Sequence, residues 1–92
     1  MIILYSKPQC PYCDRAADYL KRNNFEFTKI DVTEDAEALA FIKEKGHKTV
    51  PQIYYEDRVL VEGGYDGLKA IQPNDLTSRI QQYANGKNQF QL

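Results

Sequence analysis

Two cysteines, Cys10 and Cys13, are the residues whose types and spacing fit covalent chemistry most directly. They are the only cysteines among 92 residues. A structural disulfide normally joins distant segments, whereas a bridge between these two would close a very small loop and stabilise the fold little. Zinc would need further ligands, and the one histidine, His47, lies far along the chain. The pair therefore predicts reversible thiol–disulfide chemistry rather than a structural bridge or a metal site.

The elements around the pair predict different roles for its two sulfurs. Residues 2–5 are apolar and β-prone, and residues 11–23 have helical spacing, so Cys10 lies at or just before the first helical residue. Unpaired N–H groups and the positive end of the helix dipole favour a thiolate there, and Lys7 adds a nearby cation. Cys13 lies one turn inward and is more shielded. We therefore expect Cys10 to attack a disulfide and Cys13 to resolve the mixed disulfide.

Apolar spacing also predicts the remaining elements. In chain order these are a strand, a helix, a hairpin, a short turn or helix and a last helix, at residues 25–32, 33–46, 52–61, 66–71 and 73–86. Thr33 is the predicted N-cap of the second helix and Gly46 its stop. Gly86 is predicted to end the last helix, and residues 87–92 are predicted to form a loose tail.

This order of elements predicts an α/β domain that spans residues 1–92. One helix joins the first two strands, so we expect them to be parallel with a right-handed crossover. The closing hairpin is antiparallel. The result is a mixed four-stranded sheet with helices on both faces.

Two further segments could bind a ligand. In Thr49–Val50–Pro51, a proline at a strand start can be cis, which would present the Val50 backbone as a free edge for an extended, peptide-like ligand. Gly63 and Gly64 allow close backbone approach before Tyr65–Asp66. The N–H groups of a helix start there could hold a carboxylate, and Asp66 could also be an N-cap.

Three separated motifs carry a resemblance that covers nearly the whole chain. They are SKPQCPYC after a strand, TVPQIYY, and GGYD followed by Leu68. With these motifs the chain resembles the dithiol glutaredoxins, which have the thioredoxin-like fold. Thioredoxin itself usually has Gly-Pro between its cysteines and a Trp before them. This chain instead has Pro11–Tyr12 and contains no Trp.

The resemblance implies a glutathione-dependent reductase, with glutathione as co-substrate. The sulfur of glutathione would meet Cys10. The implied binding residues are Lys7, Tyr12, Thr49, Val50, Pro51, Gly64, Tyr65 and Asp66. Many relatives use a Gln or Arg of the second helix for the glycine carboxylate, and the aligned position here is Ala38, so Lys48 or Lys7 is a candidate replacement.

The composition and the resemblance together limit the partners. With 12 basic and 13 acidic residues the net charge is −1, which gives no general attraction to nucleic acid or membranes. No segment approaches the roughly 18 apolar residues of a membrane span, and the N-terminus lacks a signal-peptide pattern, so we expect a cytoplasmic protein. The resemblance implies a monomer that acts on disulfide-containing or glutathionylated proteins, with ribonucleotide reductase as a family-level example.

Two alternative functions remain open at this point. Some relatives carry a [2Fe–2S] cluster between two chains with two glutathiones, a geometry that Pro11 is expected to disfavour. The other alternative is a thioredoxin-like reductase driven directly by a flavoprotein. An assay without glutathione distinguishes it from a glutathione-dependent reductase.

Overall fold

The computed structural model describes residues 1–85 and has the predicted order of elements. The elements are β1 (Ile2–Ser6), α1 (Pro11–Arg22), β2 (Phe27–Asp31), α2 (Ala36–Glu44), β3 (Gln52–Tyr55), β4 (Arg58–Val61), α3 (Gly64–Lys69) and α4 (Pro73–Asn85). The predicted helix stop at Gly86 and the predicted tail lie outside the described residues. Within residues 1–85, no helix is both long enough and apolar enough to cross a membrane.

The four strands form one mixed sheet in the order β2-β1-β3-β4. β1 pairs with β2 in parallel, and the antiparallel pairs are β1 with β3 and β3 with β4. This confirms the predicted parallel unit and the antiparallel hairpin. The central strand β1 has a neighbour on each side, so its end at Ser6 provides a fixed starting point for the loop that leads to Cys10.

Helices cover both faces of the sheet. Neighbouring side chains along a strand point to opposite faces, and β1 accordingly sends Leu4 to one core and Tyr5 to the other. The first core joins the sheet to α1, α3 and α4 through buried residues that include Leu4, Leu20, Ile53, Leu68 and Leu76. The second joins it to α2 through Tyr5, Val32, Ala38, Ile42 and Tyr54. Helices α1 and α3 are thereby fixed side by side on one face.

The prediction that Thr33 caps α2 is wrong. The Asp31 carboxylate accepts hydrogen bonds from the Thr33 backbone N–H at 2.8 Å and from its hydroxyl at 2.6 Å, which holds Thr33 in a turn. These bonds lower the pKa of Asp31. The helix begins at Ala36, and the Asp35 carboxylate accepts from the Ala38 N–H at 2.9 Å. Asp35 is therefore the cap.

Asp35→Ala is expected to lower the free energy of unfolding by about 1 kcal/mol, because it leaves a backbone N–H of the first turn without its partner. Asp35→Asn keeps an acceptor oxygen and should lose less. Thr33→Ala should cost less than about 0.5 kcal/mol, because its hydrogen bond is exposed. Urea unfolding of the three variants measures the order, and a greater loss for Thr33→Ala than for Asp35→Ala would contradict this assignment.

Two glycines define the ends of the helices beside the candidate site. Gly46 has φ 90°, and the backbone N–H groups of Gly46 and His47 donate to Lys43 and Ile42 at 3.0 Å, which closes α2 as predicted. Gly63, with φ 88°, precedes α3. That helix begins at Gly64, two residues before the predicted start, so Asp66 lies inside its first turn and is not the N-cap.

Candidate active site

Cys10 and Cys13 are joined as a disulfide at the start of α1. Cys10 is the N-cap, with an extended backbone, and its sulfur accepts a hydrogen bond from the Cys13 N–H at 3.2 Å. Gln9, in the turn just before, has φ 56°, a conformation uncommon outside glycine. The sulfur that we predict to attack therefore faces the amide groups that open the helix, where negative charge is favoured.

The two cysteines differ in exposure in the predicted direction. Cys10 is 6% exposed and Cys13 is 0% exposed, so only the first presents any surface to a substrate. The Cys10 sulfur also lies 4.0 Å from the carbonyl oxygen of Val50. The attacking position is thus brought against the segment predicted to bind a ligand, although 40 residues separate the two.

An open groove of about 710 Å³ begins at that segment. It brings together seven of the eight residues that the resemblance implied for glutathione, namely Tyr12, Thr49, Val50, Pro51, Gly64, Tyr65 and Asp66. Lys7 is not among its lining residues and lies exposed in the turn before Cys10. The roles of all eight residues stay predictions.

The Pro51 and Gly64 segments form one wall of the groove. The Val50–Pro51 peptide bond is cis, as the sequence suggested. A Cβ placed at Gly64 would lie 3.2 Å from the Pro51 carbonyl oxygen, tighter than most real contacts, and Gly64 has φ 61°. Glycine therefore allows the start of α3 to pack directly against the Pro51 loop.

The comparison with known families decides the assignment. The sequence model described as Glutaredoxin matches residues 2–60. The chain belongs to the glutaredoxin family. Members of this family are generally thiol–disulfide oxidoreductases, and the Cys10–Cys13 pair fits its dithiol type.

Individual glutaredoxins are similar to this chain along most of its length. Glutaredoxin-1 of Rhizophagus irregularis is 35% identical over 83 residues, which covers 86% of this chain and 80% of that protein. The solution structure of a glutaredoxin from Brucella melitensis superposes with a TM-score of 0.68 at 34% identity and covers 86% of each chain. A buckwheat glutaredoxin–glutathione complex has the same fold, with a TM-score of 0.69 at 21% identity, covering 88% of this chain and 76% of that one.

The sequence did not indicate several residues at or next to the candidate site of this chain. Lys45 and His47 line the groove through the loop that follows α2. The nearness of this loop to the Thr49–Val50–Pro51 motif was the available signal. Gly67 is a second omission, because a Cβ there would overlap the Glu62 carbonyl oxygen. Ala38, which the resemblance aligned with a polar residue of many relatives, is buried in the core under α2 and does not line the groove.

His47 connects the loop after α2 to the sheet. Its Nε2 lies 2.6 Å from the hydroxyl of Tyr54, a fully buried side chain of β3. Burial raises the pKa of Tyr54, with a smaller contribution from Tyr5, and burial also raises that of Tyr5. Both hydroxyls therefore stay protonated in the folded state at a pH where the unfolded chain would ionise them.

These raised pKa values predict a loss of stability in alkali. Below the ordinary tyrosine pKa of 10.0 both states hold the protons, so the contribution is constant. Above it the unfolded chain binds fewer protons than the folded one, and the free energy of unfolding falls as pH rises. Urea unfolding from pH 8 to pH 11 measures the slope. Tyr54→Phe should flatten it, and a parallel decline in the variant and the parent would contradict the prediction.

Residues 1–85 contain no group of three or more His, Cys, Asp or Glu side chains placed to hold a metal ion.

Proposed function

We propose that this chain is a glutathione-dependent oxidoreductase that reduces protein–glutathione mixed disulfides, together with small and protein disulfides. One observation carries the proposal: the Cys10 sulfur lies at a helix N-terminus and 4.0 Å from the Val50 carbonyl oxygen, at the edge of an open groove. Glutathione is an extended tripeptide. A groove that begins beside the reacting sulfur and is lined by Val50 suits such a ligand, whose backbone would pair with that of Val50.

The groove supports a specific orientation of glutathione. Its backbone would pair with Val50, and its γ-glutamyl end would meet Gly64, Tyr65 and Asp66. Lys48 lines the groove and offers a cation for the glycine carboxylate, in the role that the buried Ala38 does not fill. The buckwheat glutaredoxin of the same fold was solved in complex with glutathione.

Deglutathionylation needs only one cysteine of the enzyme. The Cys10 thiolate attacks the glutathione sulfur of the mixed disulfide, and the sulfur–sulfur bond breaks. The substrate protein leaves as a thiolate, which takes a proton from water. Cys10 is then linked to glutathione. A second glutathione thiolate attacks that glutathione sulfur, which forms oxidised glutathione and returns the Cys10 thiolate.

Reduction of a protein disulfide uses both cysteines. Cys10 attacks one substrate sulfur and forms a mixed disulfide with the substrate. Cys13 then attacks Cys10, which releases the reduced substrate and leaves the Cys10–Cys13 disulfide. The structure has the pair in this oxidised form, with the Cα atoms 5.2 Å apart. Two glutathione molecules reduce it in turn and leave as oxidised glutathione.

A coupled assay tests the proposal. Reduction of the mixed disulfide of glutathione and 2-mercaptoethanol, with glutathione as the reductant, is expected to show saturable turnover. Turnover that needs a flavoprotein thioredoxin reductase and proceeds without glutathione would contradict the proposal and support the thioredoxin-like alternative. A brown dimer after anaerobic reconstitution with iron and sulfide would support the cluster carrier instead.

Asp66→Asn should raise the KM for glutathione about threefold with little change in kcat. The Asp66 carboxylate is exposed, so its pairing with the ammonium group of glutathione is worth only a fraction of a kcal/mol up to about 1 kcal/mol. Asp57→Asn is the matched control, because Asp57 is an exposed aspartate in the β3–β4 turn outside the groove. An equal rise in KM in both variants, or none in Asp66→Asn, would remove Asp66 from the binding site.

We further propose that the chain acts as a monomer in the cytoplasm on glutathionylated or disulfide-containing proteins. A ribonucleotide reductase is one such substrate at the level of the family. Turnover assays on purified candidate proteins, with the mass of the enzyme measured by light scattering, test this extension.

A further inference from the structure

An aromatic pair, with one ring exposed and the other half-buried, lies next to the cysteine pair. Tyr12, two residues after Cys10, is 55% exposed and is the one aromatic side chain of residues 1–85 that is clearly exposed. Its ring centroid lies 6.4 Å from that of Tyr65, with 34° between the ring planes. The two rings come from α1 and α3, which are fixed side by side. Tyrosine and arginine side chains are enriched at surfaces where proteins contact other proteins.

Each tyrosine ring carries a cation. The guanidinium carbon of Arg15 lies 5.3 Å from the Tyr12 centroid, and the Lys69 ammonium lies 5.7 Å from the Tyr65 centroid. Both cations are exposed, and neither lines the groove. We call these four residues the tyrosine ridge. A guanidinium stacked on a ring keeps the N–H groups at its edge free to donate to a carboxylate.

The charges of the ridge are only partly neutralised. Lys69 pairs with Asp66 at 3.5 Å, whereas Arg15 has no carboxylate within 4.0 Å among residues 1–85. The acidic residues near Arg15 on the helix have other partners, since Asp14 pairs with Lys29 and Asp18, three residues after Arg15, pairs with Arg22. Arg15 is therefore a cation without an ion-pair partner, one helical turn from Tyr12.

Cations without an ion-pair partner also line the groove. Lys45 and Lys48 line it, and neither has an ion-pair partner within residues 1–85. Glu62 is the one lining carboxylate without such a partner in that part of the chain. The whole chain has a net charge of −1, so this positive excess is local to the site. A positive surface of this kind attracts acidic partners and accelerates their encounter.

We propose that the tyrosine ridge binds the protein part of an oxidised substrate, and that it selects an acidic segment with Glu or Asp next to the glutathionylated cysteine. This inference rests on the proposed function. With glutathione in the groove, the polypeptide attached to its sulfur must leave past Cys10, and Tyr12 lies there. The rings contact apolar atoms of the segment, and Arg15 donates hydrogen bonds to its carboxylates.

Three substrates test the inference: a glutathionylated peptide with Glu on both sides of its cysteine, the same peptide with Lys, and the neutral mixed disulfide of glutathione and 2-mercaptoethanol. The enzyme is expected to have a kcat/KM about tenfold higher for the Glu peptide than for the Lys peptide at low ionic strength. The difference should shrink near 0.5 M salt, where the screening length falls to about 4 Å.

Charge reversal at Arg15 sharpens the test. Arg15→Glu should remove or invert the preference between the two peptides and leave the neutral disulfide within about twofold of the parent. Lys21→Glu is the matched control, because Lys21 lies on the same helix about 1.7 turns further on and the substitution changes the charge equally. It should keep the preference.

Three outcomes would overturn the inference: equal rates for both peptides in the parent, an Arg15→Glu loss that is the same for all three substrates, or an equal effect of Lys21→Glu. Absence of turnover with the neutral disulfide in the parent enzyme would instead overturn the proposed function on which the inference rests.

Discussion

Cys10→Ser is expected to abolish glutathione-dependent reduction of mixed disulfides, with a loss of about 1,000-fold or more. A serine hydroxyl does not ionise near neutral pH and cannot form the mixed disulfide on which the reaction depends. Cys13→Ser should keep activity within about fivefold of the parent in the same assay, because the second glutathione attacks the sulfur bound to Cys10 and needs no help from Cys13.

When the substrate is a protein disulfide, both variants should lose activity. There the mixed disulfide with the substrate is resolved by Cys13, so Cys13→Ser is expected to accumulate a covalent enzyme–substrate complex that is visible on a non-reducing gel. Equal losses for both variants with a glutathione mixed disulfide would contradict the one-cysteine step.

Gly67→Ala is expected to lower the free energy of unfolding by about 3 kcal/mol or more. A Cβ at this position would overlap the Glu62 carbonyl oxygen and press on the Val61 side chain, which is buried in the core. To remove this overlap, α3 must move away from the end of β4, and that movement would open the core around Leu68. Because α3 carries Tyr65 and Asp66, the variant should also lose affinity for glutathione.

Gly46→Ala provides the comparison. A Cβ there meets nothing within 4 Å, and only its φ of 90° disfavours an alanine, so the cost should be about 1 kcal/mol. Thermal or urea unfolding of both variants measures the difference. A loss for Gly67→Ala no larger than that for Gly46→Ala would contradict the close contact between α3 and β4.

The sequence was sufficient to predict the elements, the sheet and the cysteine pair, because each has a local signal. Apolar periodicity predicts the strands and helices, and the Cys10–Pro11 junction predicts a helix start. The predicted N-cap of α2, Thr33, was wrong because Asp31, Thr33 and Asp35 can all accept a hydrogen bond from a backbone N–H. Which of them caps the helix depends on which turn the Asp31 carboxylate closes.

Tertiary packing determines the parts of the site that the sequence did not indicate. His47 lines the groove because its ring reaches the buried hydroxyl of Tyr54 on β3, a contact without a sequence motif. Gly67 is required by a carbonyl five residues earlier, and nothing in the spacing of the glycines shows that the two meet. Lys7 precedes Cys10 in the sequence, yet its turn leaves it outside the groove.

The central claim is that the amide groups at the start of α1 hold the Cys10 sulfur as an anion. The most direct test is the rate of alkylation of the reduced protein by iodoacetamide as a function of pH, with each modified cysteine identified by mass spectrometry. Cys10 is expected to react first, with its half-maximal rate at a lower pH than free cysteine measured in parallel. Equal modification of Cys10 and Cys13, or a pH profile that matches free cysteine, would contradict the claim.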